Sequence, residues 1–147
     1  MRHAAFIVLG FALACGAAFA QTATPSGSAR QKTPHGAKVF IVSPKNGDTV
    51  GEDVLVKFGV TGITVAPSTD TAPNTGHHHL LIDQKELPPV GAPIPNDTTH
   101  KHYGKGQIED ALHLEPGDHT LQLDFADALH MQFDPPLVSK KITIHVK

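Results

Sequence analysis

After its first twenty residues this chain has no cysteine, no tryptophan and no second apolar run long enough to span a bilayer. Its single cysteine, Cys15, lies inside the opening stretch MRHAAFIVLGFALACGAAFA. The remainder therefore has no disulfide, no thiolate metal ligand and no cysteine nucleophile, and its stability must come from the core alone. Aromatics are scarce as well: Phe40, Phe58, Tyr103, Phe125 and Phe133 are all that follow residue 20. Stacking on sugars would want exposed tryptophan or tyrosine, so Tyr103 alone argues against carbohydrate binding. GxSxG, SxxK and HExxH are missing and no carboxylate pair stands out, so the expectation is a protein without catalysis. A histidine-ligated hydrolase or dismutase stays as the enzymatic alternative, and it would need an open coordination position and an acid/base partner.

Charge of either sign is also limited. The chain has 12 Lys and Arg against 14 Asp and Glu; without Arg2 the balance is −3. A chain this mildly acidic carries no electrostatic footprint for nucleic acid or anionic lipid.

The opening stretch has a basic start, a short apolar run and a small-residue ending, the pattern of a secretory signal over residues 1–20, cut before Gln21. Lipidation at Cys15 is the alternative. The expected location is periplasmic, with no membrane span. Residues 21–37, QTATPSGSARQKTPHGA, have no apolar period and read as a flexible tether. Residues 38–147 then suit one domain.

Short strands fill that domain. KVFIVS (residues 38–43) is ended by the turn PKNGD, and VLVKFGV (54–60) puts Val54, Val56, Phe58 and Val60 on one face. HHHLLID, residues 107–114, HTLQLDFA and KKITIHVK supply further strands, whereas the prolines of ELPPVGAPIPNDTT (86–99) forbid a central strand there. The pattern predicts an all-β fold, an antiparallel immunoglobulin-like β-sandwich of about seven strands, with function in a loop at one end.

What the chain has in plenty is histidine: ten after residue 20, twice the aromatic count. In NTGHHHLLID the strand period puts His77 and His79 on one face and His78 with Leu80 and Ile82 on the other. His100 and His102 in HKHYGKG repeat the H-x-H spacing. Neutral imidazoles suit zinc, copper or nickel, and three or four must converge. His77, His79, His102, His119 and His130 are the candidate metal ligands, for a copper or zinc ion. Met131 beside His130 offers a thioether that would favour Cu(I). Asp83, Asp97 and Asp127 are candidates to fix a histidine tautomer. His35, His113 and His145 read as surface or structural residues. Two readings without an ion stay open: a structural or interaction module of the cell envelope whose histidines form a buried polar network, and an acid switch built on histidine titration.

The segments NTGHHHLLID, HYGKGQ, LEPGDHTLQL and DPPLVSKKITI, in this order, resemble a family of small exported bacterial proteins catalogued as a domain of unknown function. The resemblance spans Val39 to Val146 and matches its triple histidine with His77, His78 and His79. It also matches the histidine before its glycine pair with His102, the one after its PG turn with His119, and a late one with His130. It implies an exported, histidine-rich domain and no known activity. PKNGDTV is also similar to the opening turn of small periplasmic copper-handling sandwiches.

Overall fold

A computed structural model describes residues 29–147; the expected signal stretch lies outside them. The described chain is all β, in ten strands: β1 (Lys38–Ser43), β2 (Thr49–Val50), β3 (Asp53–Thr61), β4 (Thr64–Val65), β5 (Thr75–Ile82), β6 (His100–His102), β7 (Glu109–His113), β8 (Gly117–Ala126), β9 (Gln132–Val138) and β10 (Ile142–Val146). Seven of these have five or more residues. β2, β4 and β6 are short additions.

Two sheets form. The smaller has the order β1-β3-β7, all antiparallel. The larger runs β2-β10-β8-β5-β4, with β6 also on β5 and β9 also on β8. Its two shortest members pair in parallel, β2 with β10 and β4 with β5, so the larger sheet is mixed where an antiparallel one was expected. Among the described residues no helix is long and apolar enough to cross a membrane.

Period-two alternation builds the core between the sheets. Val54, Val56 and Phe58 of β3 turn inward, against Leu80 and Ile82 of β5, Leu121, Leu123 and Phe125 of β8, and Ile144 and Val146 of β10. Fully burying each large apolar side chain contributes roughly 1.5–3 kcal/mol. β8 is the spine of the larger sheet, with partners β5, β10 and β9.

Two features depart from expectation. β9 contains Pro135 and Pro136, which hide it in the sequence. It is tolerated because its ladder to β8 shifts register between Phe125 and Ala126, leaving the proline positions out of the pairing. Part of the stretch expected to be a tether is also held in place. Thr33 N–H donates to the Asp134 carbonyl and Asp134 N–H to that of Gln31, at 3.0 and 2.8 Å, while Arg30 and Lys32 pair with the Asp134 carboxylate.

β5 positions everything that follows. All eight of its residues are buried, on both faces of the sheet. Two-sided burial is unusual for a strand in an antiparallel sheet, where one face is commonly wet.

Candidate metal centre

The three histidines of β5 divide as the strand period requires. His78 points into the core, its ring centroid 5.2 Å from Phe58 and 5.1 Å from Phe125. His77 and His79 point to the outer face of the larger sheet, yet both are 0% exposed.

Two further elements bring imidazoles to that face. β6 pairs with β5 so that His102 stands opposite His79. The turn between β8 and β9 folds back at residues 127–131 and delivers His130, whose φ of 61° is left-handed, a conformation uncommon outside glycine. Asp127 organises this turn: its Oδ1 accepts from Leu129 N–H at 2.9 Å and Met131 N–H at 3.0 Å. The Pro-rich loop joins the same turn, with Ile94 N–H donating to the His130 carbonyl at 2.8 Å.

The four rings converge. Nε2 of His77 and of His79 lie 3.1 Å apart, as do Nε2 of His102 and of His130. Ligand nitrogens of His77, His79 and His102 all fall within 4.8 Å of one another. His130 completes the set from the side of His102 and stands farthest from His79. The six centroid separations among the four rings run from 4.7 to 5.9 Å. Near-equal separations describe a tetrahedron, since four rings at the corners of a square with these edges would have diagonals of about 7 Å. Nitrogens around a tetrahedral zinc at about 2.0–2.1 Å stand about 3.3 Å from each other, close to the 3.1 Å of the His77–His79 and His102–His130 pairs, while the group of nitrogens within 4.8 Å of one another is that of His77, His79 and His102.

The rings are electrically prepared for a cation. Burial first, then the neighbouring His102, His130 and His78, lowers the His77 pKa to about 3. Burial and four histidine neighbours lower His79 further, to about 2. Burial and His130 lower His102 as well. His77, His79 and His102 are therefore neutral at pH 7, and an ion would have no net proton to displace from these three rings.

Supporting residues are less visible in the sequence. A Cβ on Gly104 would stand 2.3 and 2.4 Å from Cε1 and Nε2 of His102, so glycine there leaves room for the ring. Asp124, directly opposite His79 on β8, is 0% exposed and accepts from Gln132 Nε2 at 2.6 Å. Burial raises its pKa to about 6, against the opposing hydrogen bond from Gln132. An aspartate on the polar side of an alternating strand reads as solvated; only the two-sided burial of β5 signals otherwise. His100 also lies on the site face of β6, but its Nδ1 is turned to Asp97, at 3.0 Å.

The cluster thus gathers His77, His79, His102 and His130, and His119 is corrected out of it. His119 sits near the start of β8, opposite Ile144. It lies five residues from Asp124 along the strand, roughly 17 Å at the usual rise. Its Nδ1 meets Asp83 Oδ2 at 2.7 Å and its Nε2 meets the Glu115 carbonyl at 2.9 Å, so both ring nitrogens are engaged. Asp83 and Asp97 do hold histidines, but those are His119 and His100, not the clustered four. His113 and His145 pair with Asp53 and Asp118 at the surface.

Comparison with curated proteins and with solved structures gives no match. Comparison with protein families matches residues 56–147 to DUF4399, a domain of unknown function. That match includes β5, β6 and the turn carrying His130, so every histidine of the cluster falls within it, and the chain belongs to the DUF4399 family.

Proposed function

We propose that this is an exported, non-catalytic protein of the periplasm that binds and hands on a transition metal at His77, His79, His102 and His130. Zinc(II) is the preferred ion, with copper second. The observation that carries the reading is the near-equal separation of the four rings, from 4.7 to 5.9 Å. Tetrahedral, all-imidazole coordination suits zinc; square-planar geometry would suit Cu(II) or Ni(II), and Cu(I) prefers softer sulfur ligands. Three of the four imidazoles come from paired strands, and the fourth comes from a turn. A ligand on a turn can withdraw without disturbing the sheet, which suits transfer better than permanent storage.

The reading as a structural module with a satisfied polar network is less favoured. Nδ1 of His77 and of His79 are buried with no hydrogen-bond partner, and unsatisfied buried nitrogens weaken a core rather than hold it. Export and lack of catalysis are supported by the opening stretch and the missing motifs alone.

Calorimetric titration of residues 21–147 with zinc(II) and with copper tests the proposal. The expected result is one ion per chain, lost in the double variant His77→Ala, His79→Ala and retained in His119→Ala. Equal uptake by the double variant would overturn it.

A further inference from the structure

Beneath the histidine cluster lie four buried polar atoms that have no hydrogen-bond partner: Nδ1 of His77, Nδ1 of His79, Oδ1 of Asp124 and Oε1 of Gln132. They are chemically complementary. The first two can donate once the opposite ring nitrogen is engaged, and the last two can only accept.

Their positions match as well. His79 and Asp124 are direct cross-strand partners on β5 and β8. Such partners have Cβ atoms about 4.5–5.5 Å apart, so a modest side-chain rotation brings ring and carboxylate into contact. One step along, His77 and Gln132 both stand opposite Ala126, from β5 and from β9. Gln132 Nε2 already donates to Asp124 Oδ2 at 2.6 Å, leaving Oδ1 as the free acceptor. Asp124 is fully buried with no cation among its partners, a costly state for a carboxylate that a metal dication nearby would relieve.

We infer that Asp124 is a positioning residue for the metal centre: with an ion on Nε2 of His79, the Nδ1–H of that ring donates to Asp124 Oδ1, while Gln132 holds Oδ2. This inference rests on the zinc reading above. Asp124 acts through His79 and is not assigned as a ligand, because Gln132 already holds its Oδ2 at 2.6 Å and Oδ1 is the acceptor left for the ring. The hydrogen bond fixes the tautomer and the ring direction and increases the basicity of Nε2.

The test uses the protein from residue 21 onward, labelled with 15N-histidine and loaded with zinc(II), beside the variant Asp124→Asn. In the zinc-loaded wild type, the His79 Nδ1–H is expected as a downfield proton resonance protected from exchange with water. Asp124→Asn should lose that protection and bind zinc about 10- to 100-fold more weakly. Its metal-free thermal midpoint should stay unchanged or rise, because a neutral amide is easier to bury than a carboxylate. Equal zinc affinity in Asp124→Asn would overturn the inference, and so would an unprotected His79 Nδ1–H in the wild type, which decides the matter even if the variant fails to fold. Lower metal-free stability with unchanged affinity would mark Asp124 as merely structural. If the wild type takes up no zinc, the metal reading falls, and this inference falls with it; zinc uptake that is indifferent to Asp124 removes the positioning role alone.

Discussion

His102 owes its place to a neighbour without a side chain. Substituting Gly104→Ala would set a methyl group 2.3 Å from the His102 ring, and the ring is the part free to move. The fold should therefore tolerate the change while the ligand shifts, lowering zinc affinity about tenfold with little change in the metal-free melting temperature. Calorimetry alongside a thermal melt checks both halves of that expectation. His119→Ala should do the reverse. It breaks contacts to Asp83 and Glu115, and it should lower stability by about 1–3 kcal/mol while leaving zinc affinity as it was. These two residues also mark what could be read from sequence. The i, i+2 spacing of His77 and His79 placed them on one face, and the same spacing placed His102. Convergence of His130 depends on a turn after β8 whose direction no local pattern gives. No local pattern separates His119, just after the PGD turn, from His130, in the loop DALHMQF, but they stand at opposite ends of the ten-residue strand β8.

That strand, β8, and the turn after it link the sheet to the site. Asp127 binds the turn through two backbone N–H groups and so supports the left-handed conformation of His130. Hydrogen bonds to a charged group contribute about 1.5–3 kcal/mol. Asp127→Ala should accordingly weaken zinc binding about tenfold, mainly through faster release, and stopped-flow dissociation into a chelator would measure it. A release rate like that of the wild type would show that the turn holds His130 without Asp127. Legibility differs among elements for a physical reason. β1, β3, β8 and β10 carry the alternation of strands with one inward face, and the sequence yields them readily. β9 hides behind Pro135 and Pro136, which a strand admits only where pairing is interrupted. The two-sided burial of β5 follows from the Pro-rich loop and the turn at residues 127–131 folding over the outer face, and both are long-range events.

For the domain as a whole, the buried histidines set how stability depends on pH. His77, His78 and His79 have folded pKa values depressed from 6.5 to about 3, about 4 and lower still, in each case chiefly by burial. Between pH 6.5 and about 4 the unfolded chain therefore binds up to three protons that the folded chain refuses. Stability falls as pH falls through this window. His119 and Asp124 work in the opposite sense: despite burial, contacts with Asp83 and Glu115 raise the His119 pKa, and burial raises that of Asp124 to about 6, so each contribution is complete below the group's unfolded value and fades as pH rises through the raised one. Metal-free protein should thus be most stable near neutrality, with a steep acid limb in thermal melts from pH 7 to 4. A flat profile across that range would contradict burial of the three rings as neutral species. Bound zinc should raise the melting temperature near pH 7. X-ray absorption at the zinc edge of the loaded protein probes the centre itself. Four nitrogen scatterers at about 2.0–2.1 Å with the outer-shell pattern of imidazole are expected; a six-coordinate oxygen shell without imidazole scattering would rule out a zinc held by the four histidines.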